Sequence, residues 1–316
     1  MYQWLVRPLL FSLSPAAAHT AGTQALAPLE HSAALRAVVR ALVSAPDPRL
    51  TVEVMGLRFP SPVGLAGGFD KNAQRPRALA SLGFGFLELG TVTAQAQAPN
   101  PAPNLFRLPE DRALINRLGF PNEGAEAVSA RLAQKLGLSL SDALPGGAAG
   151  AKLGVPVGLS IGKSRVVEVD PVEPVVEDYL ASFRAARRIA DFVVVNVSSP
   201  NTKNLRALQG GELARVLLGA LSAENRAGRR VPLLRKVAPD LAAPASDELL
   251  TAAMEAELDG VVATNTTIRR DGLRTPAPSV EAMGAGGLSG PPLRARAVGM
   301  VRRAREVLGR GPVVIG

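Results

Sequence analysis

The chain has 316 residues, 47% of them hydrophobic, with 36 Lys and Arg against 27 Asp and Glu and a formal net charge of +9. That length suits one large α/β domain with an appendage, or two smaller domains. No apolar stretch is long enough to span a bilayer, and the basic excess is spread along a chain with only 4% aromatics, which argues against a nucleic-acid partner. There is no cysteine, and the histidines are confined to His19 and His31. Disulfides, thiolate catalysis and zinc-thiolate sites are therefore excluded, and a proton-transfer group in the body of the chain must be Ser, Thr, Asp, Glu, Lys or Tyr.

Residues 1–48 read as short helices. Ser14-Pro15 has the form of an N-cap followed by proline at the first helical position. Leu35, Val38, Val39 and Leu42 recur at helical spacing, with Arg36 and Arg40 off that stripe. Two readings stay open: a helical cap packed on the main domain, or an amphipathic patch lying on a membrane. Leu9–Leu13 is too short and too punctuated for a signal-peptide core. Pro46-Asp47-Pro48 reads as a linker.

From residue 49 strands and helices alternate. Strands are predicted at Val63–Gly67, Phe84–Val92, Val155–Gly162, Phe192–Ser198, Leu233–Ala238, Gly260–Thr267 and Pro312–Ile315, with helices such as Val175–Ala190 and Ser246–Leu258 between them. Such alternation predicts a parallel sheet. Polar residues at most of the strand C-termini favour a (β/α)₈ TIM barrel over a doubly wound sheet, and no early strand is followed by G-x-G-x-x-G. The sequence stops at Gly316 as the seventh strand ends, so the expectation is a barrel, residues 49–316, whose last strand is missing from this chain.

The richest stretch is Phe192–Leu205. Its apolar run turns polar at once, through Asn196, Ser198, Ser199, Asn201 and Thr202. The alternatives are a catalytic rim and an Asx/Ser turn leading into a helix. Lys71 follows the pair Gly67-Gly68, and Lys163 and Lys236 lie at or near other strand ends; the chain has six lysines in all. A buried strand lysine such as Lys236 needs a partner, and an anionic ring would serve. Lys71 and Lys163 read equally well as solvated loop lysines. Asn116–Asn122 falls in a long loop of little periodicity, which is either a binding loop or a surface turn. Gly284–Gly290 is a glycine-rich loop able to wrap a cofactor with backbone N–H groups.

Together these stretches resemble the class 2, quinone-dependent dihydroorotate dehydrogenases. The resemblance runs through Gly64-Leu65-Ala66-Gly67-Gly68-Phe69-Asp70-Lys71, Gly90-Thr91-Val92-Thr93, Asn116-Arg117-Leu118-Gly119-Phe120, Asn196-Val197-Ser198-Ser199-Pro200-Asn201-Thr202, Ala263-Thr264-Asn265-Thr266-Thr267 and Gly286-Gly287-Leu288-Ser289-Gly290. It implies a barrel that holds FMN at its C-terminal mouth and oxidises dihydroorotate to orotate in pyrimidine (UMP) biosynthesis, with no metal. Ser199 is implied as the base for the C5 proton, with Thr202 as relay. Lys71, Asn116, Arg117, Leu118, Gly119, Phe120, Asn196, Asn201, Asn265 and Thr266 are implied as substrate-binding residues. Gly67, Gly68, Phe69, Asp70, Lys71, Thr91, Asn196, Lys236, Thr264 and Gly290 are implied as FMN-binding residues. Residues 1–48 become a peripheral membrane cap at the cytoplasmic face of the cell membrane, giving a membrane quinone access near His19 and Arg107. Class 1 enzymes carry a cysteine where Ser199 stands, and this chain has none. Two departures count. Ser160 replaces an asparagine usually placed against FMN, and the family's final FMN-phosphate segment is not in the sequence, so weak FMN retention is expected. Competing readings are a soluble class 1-like flavin dehydrogenase using fumarate or NAD, and a non-catalytic barrel fragment.

Overall fold

The computed structural model describes residues 2–44, 47–140, 148–198 and 211–316. Four helices open the chain: α1 (Arg7–Phe11), α2 (Pro15–Ala25), α3 (Ala27–His31) and α4 (Ala33–Val43). Ser14 and Ser32 cap α2 and α4, their hydroxyls accepting the amides of Ala17 and Leu35, each at 3.2 Å. The stripe predicted on α4 does not pack on the barrel; it faces outward, with Leu42 80% exposed. The docking element is α3. Its Leu29 and Glu30 are buried, and the Glu30 carboxylate accepts the Ala78 amide at 3.1 Å at the start of α5 (Pro76–Ala80).

A hairpin follows that periodicity alone did not reveal: β1 (Val52–Val54) and β2 (Leu57–Phe59), turned at Met55-Gly56 with positive φ at both residues. It closes the floor of the barrel, where Phe59, Phe86, Phe192, Val194, Leu234 and Val262 form one cluster.

The remaining strands are β3 (Leu87–Val92), β4 (Leu105–Leu108), β5 (Ala113–Asn116), β6 (Val157–Ile161), β7 (Phe192–Asn196), β8 (Leu233–Val237), β9 (Gly260–Ala263), β10 (Gly287–Ser289) and β11 (Val313–Ile315). The intervening helices are α6 (Ala125–Leu136), α7 (Ala148–Leu153), α8 (Glu173–Arg187), α9 (Gly211–Ala227), α10 (Ala243–Glu255), α11 (Ala277–Met283) and α12 (Arg294–Leu308). The barrel sheet is parallel in the order β3-β6-β7-β8-β9-β11. β3 and β6 to β9 are buried along their whole lengths, which explains their near-continuous apolar runs. Residues 63–68 run beside β3, with Glu88 N donating to Leu65 O at 2.8 Å and Gly68 N to Gly90 O at 2.8 Å. The ladder there is a single bridge, Leu65 to Leu87, shorter than the predicted strand Val63–Gly67. The strands ending at Asn196 and Ala263 also stop earlier than predicted. Beyond those points side chains bond to one another, although Asn265 N still donates to Val237 O of β8 at 2.8 Å.

Residues assigned to loops from the sequence form a second, antiparallel sheet of order β10-β5-β4. Asn116 pairs with Gly287, and Thr267 bridges to Leu288, so this sheet sits over the loop that leaves β9.

Candidate active site at the C-terminal rim of the barrel

Strand periodicity sorts the barrel side chains. Leu87, Leu89, Leu159, Ile161, Val193, Val195, Leu233 and Val261 pack outward against the helices, so the alternate residues face the interior. Read upward, the interior positions change from apolar to polar. Phe86 is followed by Glu88, Val194 by Asn196, Leu234 by Lys236 and Val262 by Thr264, while Ser160 stands at the same level on β6.

The polar level is joined by hydrogen bonds. Thr91 Oγ1 lies 2.9 Å from Ser160 Oγ and accepts Asn196 Nδ2 at 3.1 Å. Asn196 Oδ1 accepts Ser198 Oγ at 3.2 Å and Asn265 Nδ2 at 3.3 Å; Asn265 Nδ2 also donates to Ser198 Oγ at 3.1 Å. Asn265 Oδ1 accepts the Thr266 amide at 2.8 Å. One run therefore links β3, β6 and β7 to the segment that leaves β9, from Thr91 to Asn265. Ser160 is fully buried and pairs its hydroxyl with that of Thr91.

The loop 67–71 is tied to the same rim. Gly90 N donates to Asp70 O at 3.1 Å, one residue before Thr91. The Asp70 carboxylate accepts the amides of Gln74 and Arg75, each at 2.8 Å, so it shapes the loop and starts α5. Lys71 Nζ donates to Gly68 O at 2.5 Å, and burial draws its ammonium below the usual lysine range, with Asp70 opposing. Phe69 meets His19 edge-on at 5.3 Å. Burial and Lys71 lower the His19 pKa. Arg107 is anchored to the N-terminal helices, donating to Leu13 O at 2.8 Å and Leu10 O at 3.2 Å, with Phe11 4.6 Å below its guanidinium.

The loop Asn116–Phe120 reaches the rim through Phe120. A Cβ on Gly162 would meet Thr91 Cγ2 at 2.8 Å and the Phe120 ring at 2.9 Å. Asn122 holds this loop, donating to Phe120 O at 2.9 Å and Thr93 Oγ1 at 2.8 Å. Arg117 bonds back to the carbonyls of Met283 and Ala285, and Gly119 O accepts Gln97 Nε2 at 2.7 Å. Asn100 N donates to Leu118 O at 3.0 Å. Gly290 stands apart, at the other end of β10, where a Cβ would lie 2.8 Å from Arg112 O. Lys163, two residues past the end of β6, is not solvated; it is buried and its ammonium serves the carbonyls of Ser164 and Val167. Ser199, Asn201 and Thr202 lie outside the described residues.

A cavity of about 420 Å³ runs from the floor hairpin up to Glu88, Lys236 and Thr264, between residues 63–66 and β11. Lys71, Asn196 and Asn265 are not part of its lining. Lys236 Nζ lies 3.1 Å from Glu88 Oε1, both nearly fully buried. The partner that a buried Lys236 requires is thus a carboxylate of the protein. The Thr264 hydroxyl is buried with no partner among the described residues. The apolar part of the cavity is the open seam between the sheet edges at residues 63–66 and β11, so only its polar end, the Lys236 ammonium and the Thr264 hydroxyl, offers donors that suit the carbonyl edge of a flat ring such as that of FMN. Glu88 escaped the sequence reading, although a carboxylate inside the apolar run Phe84–Val92 was its signal.

A model of the dihydroorotate dehydrogenase family matches residues 49–316. The chain is 46% identical over 315 residues to a dihydroorotate dehydrogenase (quinone) of Rhodococcus opacus, covering 100% of this chain and 82% of that one. It is 49% identical over 311 residues to the protein of the same name in Kocuria rhizophila, covering 96% and 82%. Among solved structures, DHODH from Eimeria tenella in complex with ferulenol superposes with a TM-score of 0.75 at 33% identity, over 90% of this chain and 78% of that one. A matching family model over the barrel, relatives at this identity over nearly the whole chain, and a shared fold lead to one conclusion: the chain belongs to the dihydroorotate dehydrogenase family.

Proposed function

We propose that the chain oxidises dihydroorotate to orotate in pyrimidine biosynthesis, with FMN as the bound oxidant and a membrane quinone as the final acceptor. The observation that carries this reading is the hydrogen-bonded run from Thr91 through Asn196 to Asn265, with the Lys71 loop fastened beside it. Bound FMN would supply the two-electron chemistry, as acceptor of a hydride from substrate C6 and donor of electrons to quinone. The chain's own residues bind and orient. Lys71 meets the substrate carboxylate as a compact cation. Asn116, Asn196, Asn201, Asn265 and Thr266 offer donors and acceptors to the ring amides, and Arg117–Phe120 wall the site. Ser199 takes the C5 proton and Thr202 relays it. Gly67–Lys71, Thr91, Asn196, Lys236 and Thr264 would hold the cofactor, with Lys236 as a cation able to stabilise its reduced form. Residues 1–48 form the quinone-access cap on the cytoplasmic membrane surface, and His19 and Arg107 line its inner side.

Anaerobic addition of dihydroorotate to the protein in excess FMN tests the reading. Flavin bleaching with equimolar orotate is expected, and flavin that stays oxidised sinks it. Ser199→Ala should slow the bleaching roughly 10²–10⁴-fold, the usual contribution of a positioned base. Reoxidation by fumarate instead of quinone would mark a class 1-like acceptor.

A further inference from the structure

We propose that Glu88 is a positioning residue whose carboxylate aims the Lys236 ammonium into the cavity and keeps the pair electrically neutral beside the flavin, an inference that rests on the FMN reading above. Glu88 stands in β3, buried at all six positions. Its alternation with the outward Leu87 and Leu89 turns it into the barrel. Lys236 comes from β8 on the same interior level, and Oε1 meets Nζ at 3.1 Å across 148 residues of sequence. Both line the cavity beside the Thr264 hydroxyl, which has no partner among the described residues. Gly67 leaves room for the carboxylate: a Cβ there would stand 2.4 Å from Oε1 and displace it.

The consequence is electrostatic. The ring of oxidised FMN is neutral, whereas reduced FMN is an anion at neutral pH. A lone buried ammonium beside it would hold the reduced form tightly and slow its reoxidation by quinone. A neutral dyad directs the same donor with its net charge cancelled, so the electrons are released more readily.

The test compares parent and Glu88→Gln protein in excess FMN, measuring dissociation constants for oxidised and reduced FMN and the midpoint potential of the bound flavin. Glu88→Gln keeps an acceptor for Lys236 and removes the negative charge. Reduced FMN is expected to tighten about tenfold relative to oxidised FMN, equivalent to about +30 mV for two electrons. A ratio that does not move, with only a lower melting temperature, overturns the proposal. Should Glu88→Gln not fold, Lys236→Met and the double variant decide. Lys236→Met leaves Glu88 unpaired and is expected to shift the ratio about tenfold the other way. Adding Glu88→Gln should bring it back to near the parent value, and failure to return overturns the proposal. A parent that takes up no FMN sinks the cofactor reading together with this one; a parent that binds FMN with an unmoved ratio sinks this one alone.

Discussion

Lys71 is a cation held where a cation is disfavoured. Its ammonium touches Gly68 O, and burial lowers its pKa from the model-compound value of 10.5 against the pull of Asp70. A lysine with a lowered pKa loses its proton earlier as pH rises. KM for dihydroorotate, an anionic substrate, should therefore climb before the ordinary lysine range is reached, while kcat moves less. Lys71→Met should raise KM about tenfold to a hundredfold, the worth of one charge-assisted hydrogen bond, and flatten that part of the profile. An unchanged KM would remove Lys71 from substrate binding. At this scale the sequence was readable where chemistry breaks a pattern. Asn196 and Asn265 follow apolar runs, and the scarcity of lysine in so arginine-rich a chain singles out Lys71, Lys163 and Lys236, of which Lys163 turns to loop carbonyls instead. What could not be read was pairing. Glu88 and Lys236 meet only because two strands on different sides of the barrel turn the same face inward, and no local spacing encodes that.

The elements built from buried apolar runs, β3 and β6 to β9, were legible because a strand covered on both faces has a distinctive composition. The short antiparallel pieces were not. β4, β5 and β10 have three or four residues each, too few for a period, and they gain stability from one another. Two consequences belong to this scale. Gly158 on β6 faces the Phe192 ring of β7, where a Cβ would stand 2.1 Å from the ring. Gly158→Ala should therefore destabilise by roughly 1–3 kcal/mol as an overpacked core does, and Phe192→Leu in the same chain should recover part of the loss in denaturant unfolding. Equal stability of Gly158→Ala and parent would mean that the sheet relaxes freely. Asp191, just before β7, is buried and accepts the Val157 amide at 2.7 Å. Burial pushes its carboxyl up from 3.8 to about 6, against the amides of Val157 and Gly150 and the charge of Arg229. A raised folded pKa gives stability that is fully present below the unfolded value and is lost as pH rises through about 6. Asp191→Asn should remove that slope, on the order of 3 kcal/mol between pH 4 and pH 7. Melting curves of the two proteins across that window should diverge in slope; parallel curves would refute it.

At the scale of the whole molecule the cap and the barrel are joined by few but specific contacts. Glu30 accepts the Ala78 amide and lies 3.8 Å from Lys135 Nζ, Arg75 Nε donates to Thr23 O at 3.3 Å, and His19 packs on Phe69 of the Lys71 loop. On its other side the cap offers Trp4, Leu5, Leu9, Val38 and Leu42 to the surroundings. Among the described residues no helix is long and apolar enough to cross a membrane. Exposed apolar residues with the exposed Arg7 and Arg40 in the same helices suit the interface of an anionic bilayer. On the proposed reading of residues 1–48 as the quinone-access cap, removal of residues 1–45 has a split outcome. The rim run from Thr91 to Asn265 lies wholly within the barrel, so dihydroorotate should still bleach added FMN and a soluble artificial acceptor should still turn over. Vesicle binding and quinone reduction should vanish. The barrel should also melt several degrees lower, because the Ala78 amide loses its acceptor and Lys135 its carboxylate. Leu42→Glu should reproduce the vesicle defect without the loss of stability, since Leu42 is already exposed. Quinone turnover that survives the deletion would place the quinone site in the barrel itself, and the seam at His19 and Phe69 would then be a packing contact alone.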